Sequence, residues 1–400
     1  MLQVLALDEA RKILLNMAIK RGFSSEPTDF SFGLGRVLAK TVVSGEDLPR
    51  FDRSAVDGFA VVSRDTFGAS AAQPALLTLA GEVKMGERAR FSIESGDCAL
   101  VWTGGELPQG ADAMVMLEEA QALSGGLVAV ESAAAPGRHV VFRGDDVRAG
   151  DSVLEQGTRL GAREIGLLAA LGVTRPEVAV QPRVCILSTG DELVAPDEII
   201  EEGKIRDANA SMLLASCAEA GATARHRGIV PDDEGKLLAA MQEACADCDL
   251  LLLTGSSSAG AKDAAARCLS ELGEVAFHGL ALKPGKPAFA GKIGETLVVG
   301  LPGHPAAAYL VFHALVRPLI SQLAGESFAP RTVNATLLQA APSNHGREEL
   351  LPVRLEDGFA EPVALKSGLI SPLTRASGYI RIPRDTEGLA KGTLQEVILF

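Results

Sequence analysis

Carboxylate side chains follow three neighbouring strands that the pattern of apolar residues predicts after residue 183. The first strand is followed by Ser188-Thr-Gly-Asp-Glu192 and the second by Pro231-Asp-Asp233. The third is followed by the Gly- and Ser-rich run 254–260, with Asp263 behind it. Carboxylate oxygens are hard ligands that select magnesium, and Gly and Ser let backbone N–H groups approach a phosphate closely. The three loops therefore predict a magnesium and phosphate site.

Two lysines add positive charge to the same set of loops. Lys283 and Lys286 lie in the run 282–287, and the flexible run Gly300–Pro305 follows the last predicted strand. Taken singly, Gly-Asp-Glu and Pro-Asp-Asp runs are more typical of helix N-caps and turns, and isolated lysines of solvated turns. A binding site is favoured because acids, lysines and a Gly/Ser loop converge on one edge of one predicted sheet.

The elements that would position these loops alternate regularly from Arg183 onward. Short apolar runs typical of buried strands lie at 184–187, 224–230, 250–253 and 296–299. Helical stretches lie between or after them at 208–220, 234–246, 264–272 and 306–323. This alternation predicts a doubly wound α/β domain with a parallel sheet covered on both faces. Ligands of such sheets bind outside the carboxyl ends of the strands, where the acids lie.

The remainder of the chain has a different pattern of apolar and turn-forming residues. Residues 46–137 and 326–400 consist of short apolar runs between Gly, Pro and acidic turns, which predicts small β-rich domains. Helical spacing of apolar residues predicts helices near Ala6–Arg21 and Arg163–Leu171, each followed by a glycine.

Composition excludes several classes of function. The chain has 400 residues with 38 Lys and Arg against 51 Asp and Glu, a net charge of -13, and only 14 Phe, 2 Tyr and 1 Trp. A negative field and few stacking side chains disfavour nucleic-acid binding.

The apolar start of the chain is broken at Asp8 and Glu9, and no run of eighteen apolar residues is free of charge. We therefore expect no signal peptide, no membrane span and a cytoplasmic protein. We interpret Cys245 and Cys248 as helix-end residues, since no second cysteine pair accompanies them.

Six short motifs, in order along nearly the whole chain, resemble those of the molybdopterin molybdotransferase family, which includes bacterial MoeA and the E domain of gephyrin. Leu187–Leu193 and Lys283–Pro287 match family motifs without a change. Those that match with substitutions are Asp52–Ala60, Trp102–Pro108, Gly144–Val147 and Gly300–Pro305. Departures from the family are Arg53 for Asn, Trp102 for Met, His304 for Asn, and Ser256 for the second Gly of its loop.

The resemblance implies a transferase that uses magnesium to insert molybdate, or tungstate, into adenylylated molybdopterin with release of AMP. It implies an elongated helical domain (1–45 and 138–176), a β-rich inserted domain (46–137), an α/β molybdopterin-binding domain (177–325) and a small C-terminal β-barrel (326–400). It also implies a homodimer whose active site lies between the α/β domain of one subunit and the inserted domain of the other. Further partners would be a molybdopterin adenylyltransferase and molybdoenzymes, with no nucleic acid and no membrane.

The resemblance also implies the roles of individual residues. The catalytic residues would be Asp57, Thr103, Asp146, Lys283 and Lys286. The metal ligands would be Glu192, Asp232 and Asp263, with Asp233 an alternative to Asp232. The residues that bind the cofactor would be Thr189, Gly190, Asp191, Gly255, Ser256, Ser258, Gly260, Pro287, Pro302, Arg347 and Ser371.

Two alternatives remain open on the sequence alone. A non-catalytic scaffold or molybdopterin-storage protein of the same fold would keep the domains, although retention of Asp57, Glu192, Asp263 and both lysines argues against it. A related α/β domain serves in adenylyl transfer, but there it lacks the inserted and C-terminal domains. Molybdate and tungstate are tetrahedral dianions of nearly equal size, so the sequence does not rank them.

Overall fold

The computed structural model describes residues 4–255, 259–364 and 368–400, and for residues 259–263 it describes the backbone alone. Within these residues the chain forms a mixed α/β sheet with its helices, a separate β-rich sheet, a region of short β-ribbons and a C-terminal barrel. The predicted fold class, a multidomain α/β plus β protein, is confirmed.

The α/β region is built on a six-stranded sheet. In spatial order its strands are Thr223–Val230, Arg183–Thr189, Leu250–Gly255, Thr296–Gly300, Phe289–Ile293 and Glu274–His278. The first four are parallel, as predicted. Phe289–Ile293 runs antiparallel to Thr296–Gly300, and Glu274–His278 runs antiparallel to Phe289–Ile293; these two strands were not predicted. The helices of this region are Ala208–Glu219, Glu234–Cys245, Ala259–Leu272, Pro305–Val311 and Arg317–Leu323, the last two joined by the π-helical turn Phe312–Val316.

Apolar side chains cover both faces of this sheet. Ile186 and Leu252 point into one core, while Leu187 and Leu251 point into the other. This alternation follows from the two-residue period of a strand, because successive side chains point to opposite faces. The sheet is therefore buried on both sides, and its open ends are left for ligands.

The first helix, Leu7–Arg21, packs into the α/β core. Leu7, Ala10, Leu14 and Ala18 are at most 1% exposed and belong to the same cluster as the strands of the sheet. These positions recur at the three- and four-residue spacing of one helix face, as the sequence predicted. The helix ends at Gly22, whose φ of +71° is a conformation that favours glycine.

The segments on either side of the inserted region form short β-ribbons and one helix, Ala162–Ala170, where the sequence predicted a helix near Arg163–Leu171. The ribbons pair Ser25–Pro27 with Glu177–Ala179 and Val42–Val43 with Ser152–Leu154. The helix Ala162–Ala170 and the 3-10 turn Phe30–Phe32 pack on a small core that contains Leu38, Leu160, Leu168 and Val178.

The β-rich inserted region is a second six-stranded sheet. In spatial order its strands are Ala113–Met116, Gly58–Val61, Asp97–Val101, Ala75–Val83, Leu127–Val130 and Ala120–Ala122. Arg53–Ser54, before these strands in sequence, pairs antiparallel with Val140–Val141, after them. Ser63–Thr66 and Leu117–Glu119 are 3-10 turns. Separate cores on its two faces bury Phe59 and Val115 on one side and Ala60 and Met114 on the other.

The C-terminal region is a closed five-stranded barrel. The strands Glu348–Glu356, Phe359–Pro362, Thr332–Leu337, Leu394–Leu399 and Gly378–Ile382 pair in this order, and the last pairs back with the first. Ala341–Pro342 pairs with Gly388–Leu389, and Ser371–Arg375 is a 3-10 turn. Leu282–Lys283 of the α/β region pairs with the barrel strand Glu348–Glu356, which holds the two regions together.

The continuous helical stretch Pro305–Leu323 is long and apolar enough to cross a membrane on length and composition alone, and 83% of its apolar window is buried inside the protein. Leu310, Phe312 and Leu315 are fully buried in the α/β core. This stretch therefore serves as a core helix against the sheet.

Candidate functional site

Five of the predicted site residues line one cavity between the α/β region and the barrel. Its volume is about 570 Å³, and we call it the lysine cavity. The predicted residues that line it are Lys283, Lys286, Pro287, Pro302 and Arg347. They converge because Leu282–Lys283 pairs with the first barrel strand, which brings residues distant in sequence to one place.

The lysine cavity also contains an acid that sequence reasoning missed. Lys283 Nζ donates to Glu349 Oε2 at 3.0 Å, and Ser343 Oγ donates to the same oxygen at 2.7 Å. The Glu349 side chain is 15% exposed and that of Lys283 is 49% exposed, so the carboxylate is the better fixed partner. Glu349 therefore orients Lys283 at the cavity wall, while Lys286 and Arg347 are exposed.

A second cavity of about 540 Å³ lies at the carboxyl ends of the first two parallel strands. The predicted residues Gly190 and Asp191 line it, together with Asp207 and His226, which sequence reasoning missed. We call it the Asp207 cavity. Asp207 could have been found from the sequence, since it precedes the helix Ala208–Glu219 as an N-cap residue.

The strand ends beside this cavity require glycine. Thr189 is buried and lies in register with Gly255. Gly255 has a φ of +140°, and a Cβ there would lie 1.9 Å from the carbonyl oxygen of Thr189. At Gly190, where φ is +146°, a Cβ would lie 2.6 Å from Glu192 Oε2, so the Glu192 carboxylate folds over this glycine. These contacts fix the backbone of the first and third loops against each other.

The structure separates the two candidate acids of the second loop. Asp233 caps the helix Glu234–Cys245, and its Oδ1 accepts from the Lys236 N–H at 2.8 Å. The Asp232 N–H donates to Asp191 Oδ1 at 3.2 Å, which ties the second loop to the first. The Asp233 carboxylate therefore caps a helix, while both acids stay candidate ligands.

The predicted magnesium site is incomplete in the described part of the chain. Among the described side chains, no group of three or more His, Cys, Asp or Glu is arranged to hold a metal ion. Ser256 and Ser258 lie outside the described residues, as does the side chain of Asp263, and Gly260 lies at the start of the helix Ala259–Leu272. Glu192 and Asp232 supply hard oxygen donors, but the described residues do not by themselves fit a magnesium ion.

The polar motifs Asp52–Ala60, Trp102–Pro108 and Gly144–Val147 make hydrogen bonds with neighbouring segments. Asp57 Oδ1 accepts from the backbone N–H and the hydroxyl of Thr103, both at 2.7 Å. These hydrogen bonds hold the pKa of the exposed Asp57 carboxyl below its ordinary value. The Asp146 N–H donates to the Leu48 carbonyl at 3.0 Å, and the neighbouring Arg143 N–H donates to Asp52 Oδ1 at 2.8 Å.

Eight of the described site residues line neither cavity of this single chain: Asp57, Thr103, Asp146, Ser371, Thr189, Glu192, Asp232 and Gly255. Asp57 and Thr103 lie in the inserted region, Asp146 follows that region in sequence, and Ser371 is an exposed residue at the start of a 3-10 turn. The roles assigned to all the site residues stay predictions, and a site shared between subunits is the hypothesis that accounts for the first three.

The cysteine pair lies at a helix end. Cys245 is the last residue of the helix Glu234–Cys245, and Cys248 Sγ donates to the Ala244 carbonyl at 3.1 Å. All six cysteines are free, and burial raises the pKa of Cys245 to about 11. A thiol with so high a pKa is a poor nucleophile at neutral pH.

Comparison with protein families gives three matches along the chain. The "MoeA N-terminal region (domain I and II)" matches residues 5–172, the "Probable molybdopterin binding domain" matches residues 185–322, and the "MoeA C-terminal region (domain IV)" matches residues 334–400. The order of these matches is the order of the regions in the structure.

Individual relatives match over nearly the whole chain. Molybdopterin molybdenumtransferase 2 of Mycobacterium tuberculosis is 32% identical, covering 91% of this chain and 92% of that protein. Molybdopterin molybdenumtransferase of Bacillus subtilis is 32% identical, covering 92% of this chain and 88% of that protein. The crystal structure of the MoeA protein from Pyrococcus horikoshii OT3 superposes with a TM-score of 0.87 at 32% identity and covers 100% of both chains. With its motifs, fold and length all matched, the chain belongs to the MoeA family of molybdopterin molybdenumtransferases and is a transferase of molybdenum cofactor biosynthesis.

Proposed function

We propose that this protein inserts molybdate, or tungstate, into adenylylated molybdopterin in a magnesium-dependent reaction that releases AMP. In this reaction water adds across the phosphoanhydride bond, so that AMP leaves and the pterin keeps its phosphate, and the two dithiolene sulfurs displace oxygen from the oxyanion, which leaves as water. The observation that carries the proposal is the lysine cavity, where Lys283, Lys286 and Arg347 line one space of about 570 Å³.

The charges of this cavity suit a dianion in an otherwise acidic protein. The whole chain has a net charge of -13, so an oxyanion needs a local concentration of cations. Lysine and arginine donate charge-assisted hydrogen bonds to oxyanions, and fixed cations stabilise negative charge as it develops on a leaving phosphate. Glu349 holds Lys283 in place, so that cation is positioned before the substrate binds.

We propose that the site is completed by the inserted domain of a second copy of the chain. This accounts for Asp57 and Thr103 of the inserted region and for Asp146, which follows that region in sequence, because all three line neither cavity of their own chain. A low pKa keeps the Asp57 carboxyl ionised at neutral pH, as a group that accepts hydrogen bonds from the substrate or from bound water.

The magnesium requirement is proposed because the candidate metal ligands are carboxylates. Glu192, Asp232 and Asp263 follow three neighbouring strands, and carboxylates are the ligands that magnesium prefers. When bound, the ion would neutralise the oxygens of the phosphoanhydride. We also propose a cytoplasmic location, with a molybdopterin adenylyltransferase and molybdoenzymes as partners.

The decisive assay follows AMP release from adenylylated molybdopterin with molybdate, with tungstate and with neither. We expect either oxyanion to accelerate release and a chelator of divalent ions to abolish it until magnesium is restored. If neither oxyanion accelerates AMP release, a non-catalytic scaffold becomes the better interpretation.

Two lysine substitutions, one in the lysine cavity and one outside it, test the role of the cavity. Lys286→Met removes a cation from the lysine cavity and should raise the KM for molybdate at least about tenfold, the usual effect of losing one charge-assisted hydrogen bond. Lys292→Met removes an exposed lysine that pairs with Glu274 and lines neither cavity, so it should leave KM unchanged. Equal KM values in the two variants would remove Lys286 from the site.

Mixing two impaired variants, assayed at a molybdate concentration well below the wild-type KM, tests the shared site. Asp57→Ala and Lys286→Met place their defects in different subunits of a mixed dimer, which leaves one intact site. Random exchange of subunits should then restore about a quarter of the wild-type rate. No recovery from a mixture shown to contain mixed dimers would exclude a site shared between subunits.

A further inference from the structure

The wall of the lysine cavity comes from two parts of the fold. Lys283 and Lys286 belong to the α/β region, whereas Arg347 and Glu349 lie at the start of the first barrel strand. An anion that contacts both parts of the wall is held well only while the two parts keep a fixed separation. Residues that fix the barrel on the α/β region therefore control the affinity of the cavity without contacting the ligand.

The acid between the two barrel residues has partners of its own. Side chains alternate along a strand, so Glu348 faces away from its neighbours Arg347 and Glu349. Glu348 Oε1 accepts from Arg381 Nε, and Arg381 Nη2 donates to Asp8 Oδ2 at 2.8 Å. Arg381 lies on the barrel strand next to that of Glu348, and Asp8 lies in the first helix. One guanidinium therefore joins the barrel to the first helix.

The two carboxylates hold this guanidinium in different surroundings. The side chain of Glu348 is 14% exposed, whereas that of Asp8 is 66% exposed. The hydrogen bond from Arg381 holds the pKa of the Asp8 carboxyl below its ordinary value, so both partners are charged at neutral pH. A guanidinium presents its donors in a rigid fork, which fixes the two carboxylates relative to each other better than a lysine would.

The first helix is in turn tied to the long core helix. Arg11, which lies three residues after Asp8, donates to the Ala314 carbonyl from Nε at 3.0 Å and from Nη2 at 2.8 Å. In a regular α-helix this carbonyl would accept from residue 318, but Pro318 has no N–H. Arg11 supplies the missing donors, which attaches the first helix to the core helix at this point.

These contacts form a continuous path between the two parts of the cavity wall. The core helix stretch Pro305–Leu323 begins at the cavity, where Ala307 belongs to the wall. Arg11 joins this stretch to the first helix, and Arg381 joins the first helix to the strand that carries Glu349. Loss of the arginine in the middle of the path would free the barrel part of the wall from the α/β part.

We propose that Arg381 is a positioning residue for the oxyanion, because by joining Asp8 to Glu348 it fixes the separation between the two parts of the lysine cavity wall. The inference rests on the proposed function, which assigns the oxyanion to this cavity. Arg381 itself lines neither cavity and acts through the strand that carries Arg347 and Glu349.

Steady-state AMP release from full-length protein tests the effect on the oxyanion. Arg381→Met should raise the KM for molybdate at least about tenfold and change kcat less than about threefold, because a displacement of about 1 Å in a binding site costs up to about a hundredfold and the loss falls on binding. Arg381→Lys restores the charge without the fork, so it should recover part of this loss. Arg354→Met removes an exposed arginine of the first barrel strand that pairs with Glu356 and Glu361, and should leave KM unchanged.

A milder variant keeps Arg381 and weakens one of its two contacts. Asp8→Asn should raise the KM in the same direction by a smaller factor, since the exposed carboxylate loses its charge. In the Arg381→Met background Asp8→Asn should have little further effect, because the two residues act as one unit. Glu9→Gln, at an exposed position of the same helix, is the control and should leave KM unchanged. Independent, multiplicative effects of Asp8→Asn and Arg381→Met would overturn the proposed link.

The pairing of Lys283 with Glu349 supplies a readout that needs no oxyanion. Full-length protein is treated with an amine-acylating reagent, and labelling of each lysine is followed by mass spectrometry of its peptides. In Arg381→Met, Lys283 should be labelled about two- to fivefold faster than in the wild type, the factor expected when an ion pair is lost. Labelling of Lys292, which pairs with Glu274 outside the cavity, should stay unchanged.

An unchanged KM in a folded Arg381→Met variant, or an equal rise of KM in Arg354→Met, would overturn the proposal. Where Arg381→Met does not fold, Asp8→Asn decides the question by the same two measurements. If the wild type shows no oxyanion-dependent AMP release, the transferase reaction proposed above fails, and labelling decides the inference separately. Faster labelling of Lys283 in Arg381→Met then supports the positioning role, and unchanged labelling overturns it.

Discussion

Replacing Gly255 by alanine should damage the binding edge of the α/β sheet more than an ordinary glycine substitution. Gly255 ends the strand Leu250–Gly255 and lies in register with Thr189. Its φ is +140°, and an added Cβ would lie 1.9 Å from Thr189 O and 2.5 Å from Thr189 N. Because real Cβ atoms keep at least 3.0 Å from such atoms, the two strand ends must separate by about 1 Å.

Two physical costs add in this variant. Holding alanine at a strongly positive φ costs about 1–3 kcal/mol, and forcing a methyl group into packed backbone costs about 1–3 kcal/mol. We therefore expect the α/β region to lose about 2–6 kcal/mol of unfolding free energy. Movement of Thr189 and Gly190 should also lower molybdate-dependent AMP release in the fraction that remains folded.

Urea unfolding followed by circular dichroism measures the stability loss. Gly150→Ala is the matched control, because Gly150 has a φ of +96° and no atom within 4 Å of an added Cβ. The control carries the backbone strain alone, about 1–2 kcal/mol. A Gly255→Ala variant within about 1 kcal/mol of this control would show that the strand ends yield easily and would refute the argument.

Three further predictions concern other parts of the molecule. Thr103→Val removes the hydroxyl that donates to Asp57, so the pKa of Asp57 should rise toward its ordinary value in a carboxyl NMR titration; an unchanged or lower value would contradict this. Burial raises the pKa of Glu326, but its two hydrogen bonds with Arg159, at 3.0 and 2.6 Å, outweigh burial and hold that pKa below the ordinary value. The contribution of this pair to stability is therefore present above the ordinary pKa and lost as pH falls through the lowered one. Glu326→Gln should cost about 1.5–3 kcal/mol at neutral pH, with a smaller difference from wild type in acid urea melts, and a pH-independent difference would refute the assignment. Leu14→Ala, at a fully buried position of the first helix, should cost about 2–5 kcal/mol by the same melts, and a loss below about 1 kcal/mol would show that this helix is not part of the core.

Much of the fold was predictable because its strands are strongly apolar and its breaks are marked by glycine. Leu250–Gly255 and the helix Ala208–Glu219 follow directly from such patterns. Glu274–His278 and Phe289–Ile293 were missed since they are short and contain charged residues or glycine. Phe289–Ile293 forms a strand because it pairs with the edge of Thr296–Gly300, and Glu274–His278 in turn pairs with Phe289–Ile293, which is a tertiary effect.

Sequence motifs also predicted part of the candidate site. Lys283 and Lys286 belong to an intact motif, and the structure places both in one cavity. Glu349 carries no motif, and its contact with Lys283 spans 66 positions in sequence. Its role therefore depends on how the barrel docks onto the α/β sheet, which no local pattern encodes.

The sequence by itself determined the kinds of groups available: acids after parallel strands, two lysines in a proline-bounded turn, glycines where backbones meet, and the family to which they belong. Tertiary structure decided which of these groups meet: the Asp232 N–H donates to Asp191 of the first loop, whereas the neighbouring Asp233 carboxylate caps a helix. It also divided the charges between a cationic and an acidic cavity. The physical reason is that residue type and local periodicity are properties of a short segment, whereas burial, charge pairing and an unsatisfied oxygen such as Asp207 Oδ2 exist only once distant segments have packed together.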